Sequence, residues 1–188
     1  MSTSDIQAIC SQLLTPDDLA ISDELFDRVL SEKIVTKIQE NKKTKYIKIF
    51  SKEQLYLSYI TPLLHNIGFE IIDEVTYNVT NKKELIYISR FNLKIEDFKQ
   101  VDNAKENLES IISYSLKDTS VKHSKAYSLV YTENLTLRKV DLIRAFIEYI
   151  DQAVLTINSA TILTTLTTNS SLTCLFVKYF ITKFDPKL

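Results

Sequence analysis

Glycine is almost absent from this chain, because Gly68 is the single glycine among 188 residues. Loops that bind the phosphates of a nucleotide need several glycines, since glycine alone allows their tight turns and the close approach of backbone to phosphate. The sequence therefore excludes a dinucleotide-binding fingerprint and a P-loop. We expect no cofactor to bind to this chain.

Cysteine and histidine are also scarce, with two residues of each. Cys10 and Cys174 lie far apart in the sequence, and neither His65 nor His123 has carboxylates or thiols at a spacing that makes a ligand set or an acid/base pair. We therefore expect no metal site, no disulfide scaffold and no catalytic residue. Free cysteines are typical of a reducing compartment, and the expected location is the cytoplasm.

An excess of positive charge is lacking as well, since 23 Lys and Arg residues are balanced by 24 Asp and Glu residues, for a formal net charge of -1. Nucleic acids and anionic membranes attract basic proteins. No apolar run approaches the roughly 20 residues of a membrane-spanning helix, and the N-terminus does not resemble a secretory signal. We expect neither nucleic acid nor a membrane among the partners.

Hydrophobic residues make up 45% of the chain, which is enough for a buried core. Apolar residues at helical spacing predict one helix near residues 6–14, and Thr15-Pro16 predicts the start of a second. The second helix should bury one face, which consists of Leu25, Phe26, Val29, Leu30, Ile34 and Ile38. A polar run at residues 40–43 then marks a boundary, so residues 1–43 are expected to form an N-terminal helical segment.

Alternating apolar and polar residues begin after residue 44. The patterns predict a strand at residues 46–50, a helix at residues 58–66, strands at residues 69–79 and 84–94, and a helix at residues 102–117. Gly68 is expected at the left-handed position that ends the first of these helices. This β-α-β-β-α order is the core of a ferredoxin-like unit that lacks an obvious final strand. Residues 44–120 are thus expected to be an α+β domain.

Residues 121–188 are expected to be helical throughout. Thr136 and Asn158 are the predicted caps of two helices, and the first should bury Val140, Ile143, Ile147, Ile150 and Val154. The last helix carries a long apolar stripe made of Leu172, Leu175, Phe176, Tyr179, Phe180 and Phe184. This stripe is longer than a domain of this size needs for its own core, which indicates a surface that contacts partner segments.

Aromatic residues on the predicted strands allow a competing hypothesis. Tyr46, Tyr87 and Phe91 could stack bases in an RNA-recognition domain, which shares the β-α-β-β-α order. The basic signature of that module is absent, so core packing or cover by a helix explains these rings better. Asp73 and Glu74 are adjacent strand residues that should point to opposite faces, and therefore do not form a carboxylate pair.

Three blocks, in this order, resemble the large NAD-specific glutamate dehydrogenases of bacteria. The first block spans Leu55–Val79, and its matching residues are Leu57, Ser58, Pro62, Leu64, Gly68, Asp73, Glu74 and Tyr77. The second is Tyr87–Leu93. The third runs from about residue 126 to residue 186, with matches at Arg138, Val140, Leu142, Arg144, Ala145, Tyr149, Gln152, Phe184, Asp185 and Pro186. The chain departs from the family at Asn134, Leu137, Lys139 and Val154, where the family tends to have Gly, Trp, Glu and Gly.

The resemblance implies an ACT-like α+β domain with a helical segment, both lying ahead of the catalytic core. The full-length family uses NAD to deaminate glutamate oxidatively to 2-oxoglutarate, while this chain alone is expected to have no turnover. Its implied partners are the remaining segments of the dehydrogenase, in a homo-oligomer. A stand-alone ACT-type amino-acid sensor, or an orphan fragment of a split gene, is the alternative hypothesis.

An ACT-like domain also implies an amino-acid effector. Its predicted position is the stretch from Ser51 to Tyr59, where the backbone N–H groups of Leu57, Ser58 and Tyr59 could receive a carboxylate. An ordinary capped helix that merely supports assembly is the simpler interpretation of the same residues.

Overall fold

The structure, a computed structural model, describes residues 21–40, 45–81, 84–94, 98–117, 124–153 and 157–185. Its elements in chain order are α1 Asp23–Glu32, β1 Ile34–Glu40, β2 Lys45–Ser51, α2 Leu57–Ile67, β3 Glu70–Asn81, β4 Glu84–Lys94, α3 Phe98–Lys117, a 3-10 turn Lys125–Tyr127, α4 Ser128–Glu133, α5 Leu137–Ala153, α6 Ser159–Thr168 and α7 Ser170–Phe184. The predicted α+β class is confirmed.

The four strands form one antiparallel sheet in the order β1-β2-β4-β3. Strand β2, helix α2, strands β3 and β4 and helix α3 reproduce the predicted β-α-β-β-α unit, and β4 has the predicted bounds. Gly68 ends α2 in the left-handed region at a φ of 109°. A Cβ at Gly68 would meet Tyr131 only at an ordinary 3.6 Å, so the backbone conformation, and not space, is what favours glycine there.

The predicted helical course of residues 34–38 is wrong, because α1 ends at Glu32 and these residues form strand β1. Ile34 and Ile38 fit a helical spacing and a strand spacing equally well. Three successive β-branched residues, Ile34, Val35 and Thr36, favour a strand. The predicted helix at residues 6–14 and the predicted start at Thr15-Pro16 lie outside the described residues; Ser22 is the residue that caps α1, through a side-chain hydrogen bond from the Leu25 N–H.

Strand β1 supplies the strand that the sequence pattern lacked. In a β-α-β-β-α-β unit the final strand lies beside the first strand, on its free side. Here β1 takes that position, paired with β2 from Ile34 opposite Ser51 to Glu40 opposite Lys45. The pairing crosses the predicted boundary at residue 43, so the N-terminal segment contributes one strand to the sheet.

Helix α3 closes the outer edge of β1. The outward N–H of Thr36 donates to Ser113 Oγ at 2.9 Å, and that of Ile38 donates to Glu109 Oε1 at 2.8 Å. Glu109 also accepts from Lys37 Nζ at 3.1 Å. An uncovered sheet edge is a template for pairing with another chain, and side chains from a helix remove that template here.

Two apolar layers hold the sheet. On one face α2, α3 and the helices that follow share a single core with the sheet, which reaches from Ile47 and Ile49 to Val140 and Val177. On the other face α1 places Phe26 and Val29 against a smaller cluster formed by Val35, Phe50, Ile86 and Ile88. The helical segment therefore packs on the α+β unit as part of one core.

The helical segment follows its prediction closely. Asn158 accepts from the Thr161 N–H at 2.8 Å and so caps α6. In α5, Val140, Ile143 and Ile147 are buried as predicted, whereas Ile150 is half-buried and Val154 lies outside the described residues. Asn134 ends α4 at a φ of 51°, where the resemblance implied glycine. Asn is among the residues that tolerate this left-handed conformation best.

Membrane-spanning length was assessed for the described helices. No single one of them is both long and apolar enough to cross a bilayer. Only α6 and α7 taken together meet the criteria of length and composition, and they are bent by 101° relative to each other.

The closure of the β1 edge predicts different effects for two changes at Glu109. Glu109→Ala removes the acceptor of the Ile38 N–H and should lower the free energy of unfolding by about 1–3 kcal/mol. Glu109→Gln keeps an oxygen acceptor and loses only the charge pair with Lys37, so it should cost about 0–1 kcal/mol. Urea unfolding of both variants measures the difference. Equal losses would show that the backbone hydrogen bond contributes nothing.

Candidate functional site

The predicted effector donors lie at the start of α2. Leu57 and Tyr59 are exposed, at 47% and 43%, and Ser58 is exposed beside them. Tyr56 is the N-cap residue and its side chain makes no capping hydrogen bond. The Tyr59 N–H already donates to the Tyr56 carbonyl at 3.0 Å. The start of α2 therefore offers the N–H groups of Leu57 and Ser58 to a ligand.

A cavity of about 580 Å³ opens next to this loop. Four of its lining residues, Ser51, Lys52, Glu53 and Leu55, fall within the predicted stretch from Ser51 to Tyr59; the others are Lys33, Ile34, Leu116 and Lys117. Leu57, Ser58 and Tyr59 are not part of the lining. The loop after β2 thus borders a cavity, and the predicted backbone donors lie outside the lining of that cavity.

The lining of the cavity has two chemical parts. Ile34, Leu55 and Leu116 are its apolar residues, whereas Lys33, Lys52 and Lys117 bring three positive charges against the single carboxylate of Glu53. On these described residues, the surface suits a small molecule that carries a negative charge and an aliphatic group.

The backbone of Lys33 is strained at the mouth of the cavity. Its φ is 69°, a conformation that a residue with a Cβ rarely adopts. Two hydrogen bonds hold it there: the Lys33 N–H donates to the Val29 carbonyl at 2.9 Å, and the Lys52 N–H donates to the Lys33 carbonyl at 3.2 Å. Strain of this kind costs about 1–3 kcal/mol and is concentrated at binding sites. Ser51 Oγ donates to the Glu53 carbonyl at 2.7 Å and stiffens the same loop.

Glu32 connects α1 to the rim of the cavity. It accepts from Arg28 Nε at 3.1 Å and lies 3.6 Å from Lys117 Nζ. The hydrogen bond from Arg28 holds the pKa of the Glu32 carboxyl below its usual value; partial burial opposes this shift, and the positive charges of Arg28 and Lys117 add to it. An ionised Glu32 therefore restrains Lys117 at neutral pH.

The other residues singled out in the sequence have structural roles. Asp73 and Glu74 point to opposite faces, as predicted: Asp73 accepts from Asn92 Nδ2 at 2.6 Å and Glu74 accepts from the Thr76 hydroxyl. His65 is exposed in the last turn of α2. Cys174 is half-buried against the main core. His123 and Cys10 lie outside the described residues.

The aromatic residues of the sheet do not form a stacking platform. Tyr46 of β2 lies opposite Asn92, and Tyr87 lies opposite Ser51 of β2. Because Tyr46 and Ser51 are an odd number of residues apart on β2, the rings of Tyr46 and Tyr87 are on different faces of the sheet. Phe91 is 1% exposed in the core under the helices. Within the described residues, no group of three or more His, Cys, Asp or Glu side chains is placed to hold a metal ion.

Sequence reasoning missed Lys33, Leu116 and Lys117 as lining residues. The first lies at the end of α1 and the others at the end of α3, far from the loop in sequence. No local motif connects them. The available signal was the run of three β-branched residues after Lys33, which would have placed β1, and hence Lys33, beside β2.

The lowered pKa of Glu32 predicts that the contribution of its carboxylate to the free energy of unfolding depends on pH. The stabilisation is present above the pKa of the unfolded chain and is lost as the pH falls through the lowered folded pKa. Because the side chain is 39% exposed, Glu32→Gln should cost only about 0.2–1 kcal/mol at about pH 7. Urea unfolding across the acid range should show this cost disappearing. A cost that persists in acid would mean that packing, and not charge, is responsible; Glu84→Gln is the matched control at an exposed strand end.

Comparison with protein-family models gives two matches. Residues 31–106 match the description "Glutamate dehydrogenase, ACT3 domain", and residues 127–186 match "Glutamate dehydrogenase, helical motif 3". The first match includes β1, in agreement with its place in the sheet. Comparison with curated proteins finds no match. Because the two regions follow one another and together cover more than two thirds of the chain, this chain belongs to the glutamate dehydrogenase family, as a region formed by its ACT3 domain and helical motif 3.

Proposed function

We propose that this chain is the non-catalytic regulatory and scaffolding portion of an NAD-dependent glutamate dehydrogenase, whose full-length form deaminates glutamate oxidatively to 2-oxoglutarate. The observation that carries the proposal is the continuous core between the two family regions. Ile47 and Ile49 of the sheet and Leu129 and Val140 of the helical motif belong to one buried cluster.

This shared core suits a scaffold. Phe69, which follows α2, contacts the ring of Tyr131 in α4 at a centroid distance of 5.5 Å. Asn107 of α3 donates to the Asn134 side chain at 2.7 Å. Apolar packing and a polar contact thus both resist movement of one region against the other, and a rigid body of this kind can hold distant parts of a larger enzyme at fixed positions.

NAD, the cofactor that the resemblance implies for the full-length enzyme, does not fit the residues of this chain. A dinucleotide site is built on a parallel sheet with a glycine-rich turn before a helix. The sheet here is antiparallel, and Gly68 comes after a helix, as its C-cap. On this proposal NAD is bound elsewhere in the full-length enzyme, and no chemical step is carried out by these residues.

The size and activity of the native polypeptide test this role. An antibody against the chain should detect a band far above 21.7 kDa, and the immunoprecipitate should reduce NAD when glutamate is added. The purified chain of 188 residues should have no such turnover. Turnover by the purified chain would contradict the proposal, and a native band at 21.7 kDa would favour the sensor or orphan fragment instead.

The cavity beside the loop after β2 favours a second candidate function, the binding of an amino-acid effector. The three lysines could receive an α-carboxylate, Glu53 could receive the ammonium group, and the apolar lining could hold an aliphatic side chain. This function is compatible with a regulatory portion of the enzyme and with the stand-alone sensor.

Calorimetric titration with a panel of amino acids tests the effector site. We expect heat of binding for one with an aliphatic side chain, and a loss of affinity of about tenfold or more in Lys52→Ala and Lys117→Ala, because each removes a charge that meets the carboxylate. Lys105→Ala, an exposed lysine of α3 outside the cavity, is the matched control. Absence of heat with every amino acid would reject the effector and leave the scaffolding role.

A further inference from the structure

Helix α7 buries one face and leaves a larger apolar face in solvent. Thr173 and Val177 are its buried residues. Its solvent-facing side carries Leu172, Leu175, Phe176 and Tyr179, and Phe184 is exposed in the last turn beyond the buried residues; these five apolar side chains are 44–67% exposed. We call these five residues the α7 apolar face. Monomeric soluble proteins rarely expose large apolar side chains in one contiguous group of this kind, and such groups mark interaction sites.

Aromatic contacts make the α7 apolar face continuous with α5. The ring of Phe146 in α5 lies 5.1 Å from that of Phe176 and 4.9 Å from that of Phe180, and Phe180 lies 4.7 Å from Phe184. At the C-terminal end of α7 this ladder borders a groove of about 340 Å³, whose apolar residues are Leu142, Phe180, Ile181 and Phe184. The α7 apolar face, the rings of Phe146 and Phe180 and the groove therefore form one continuous apolar surface, which we call the apolar track.

The charges around this track have one dominant sign. Residues 159–184 contain only two charged side chains, Lys178 and Lys183. The groove adds Arg138 and Lys139 at the start of α5, and the N-terminal end of that helix contributes a partial positive charge. Among the residues that the structure describes, none of these four cations forms an ion pair. Of the described residues that line the groove, Asp185 alone is acidic, and Glu133 accepts from the Ser170 and Ser171 hydroxyls at the N-terminal end of α7.

The length of the track matches one helix. The residues from Leu172 to Phe184 rise by about 18 Å along α7. A partner helix of about three to four turns covers this distance, and helices dock on such surfaces through apolar residues at positions i, i+3, i+4 and i+7.

We propose that the α7 apolar face and its groove are the docking site of an amphipathic α-helix with acidic residues along its edges, contributed by a partner polypeptide. The inference rests on the scaffolding function proposed above, in which the partner is another segment of the dehydrogenase. Burial of the apolar residues supplies affinity, and carboxylates facing Arg138, Lys139, Lys178 and Lys183 set the orientation.

A second copy of this chain is a poorer occupant. Residues 159–184 contain no acidic side chain, so two α7 apolar faces packed against each other would leave Lys178 and Lys183 of both copies without an opposite charge from the other helix. An anionic bilayer shares the charge preference of the site. However, α6 and α7 are bent by 101°, so the apolar α6–α7 pair does not present one straight helix to lie along a membrane surface.

The test uses the whole chain and a labelled peptide of about 14 residues, with Leu at i, i+3, i+4 and i+7 and Glu at the flanking positions. A second peptide carries Lys in place of each Glu. Fluorescence anisotropy should show the Glu peptide binding about tenfold or more tightly than the Lys peptide. Leu175→Glu combined with Tyr179→Glu should abolish binding, and Arg138→Glu combined with Lys139→Glu should reduce or reverse the preference for the Glu peptide.

Ile72→Glu is the matched control, because Ile72 is 58% exposed on β3, away from this surface, and should leave binding unchanged. Thermal melting of each variant shows whether it is folded. Equal binding of the two peptides, or an equal loss in Ile72→Glu, would overturn the proposal.

Two other occupants of this surface would give different experimental results, and either result would also overturn the proposal. Self-association in sedimentation that the Leu175→Glu and Tyr179→Glu changes remove would identify a second copy. Binding to phosphatidylglycerol vesicles that the Glu peptide does not compete with would identify a membrane. Dehydrogenase activity in the immunoprecipitate, together with failure of the peptide to bind, would reject the docking site alone and leave the scaffolding function intact.

Discussion

The pairing of helix α3 with the outer edge of β1 is the constraint on which the rest of the structure depends. A terminal strand exposes N–H groups on one side, and here Ser113 and Glu109 accept from two of them, those of Thr36 and Ile38. The same contacts position both ends of α3. At its start, Asp102 pairs with the buried Lys45, and at its end Leu116 and Lys117 reach the cavity. One helix thus closes the sheet, fixes the register of β1 against the core and completes the candidate site.

The same closure determines where the molecule can make contacts. Because α3 covers the β1 edge, this edge cannot extend the sheet into another chain. The helical segment packs on α2 and α3 through a shared apolar core, but it does not bury all of its own apolar surface. Phe146, Phe176 and Phe180 pack on one another and remain partly open to solvent. A continuous packed core with an apolar face open to solvent supports the scaffolding role proposed above.

The candidate site shows how far local sequence reasoning reaches. The strand and the helix start on either side of the loop from Ser51 to Leu55 were predicted from spacing alone, whereas the cavity beside this loop was not predicted. The contribution of Lys33 was missed because the β-branched run that follows it was assigned to a helix, whereas the turn between α1 and β1 brings Lys33 to the cavity. Lys117 reaches the site only through the packing of α3, and the effector donors Leu57, Ser58 and Tyr59 remain a prediction.

By itself the sequence determined the elements whose periodicity has one interpretation: the β-α-β-β-α order, the C-cap at Gly68 and the helices of the C-terminal segment. Its single glycine also excludes the glycine-rich motifs of dinucleotide and P-loop sites. For residues 34–40 the spacing of Ile34 and Ile38 fits both periods and the β-branched run only favours a strand, so the pairing with β2 in the tertiary structure decided the outcome. The tertiary structure likewise decided which face of α7 is buried. Local spacing specifies that a face is apolar, whereas the neighbours available in the fold specify whether it is covered.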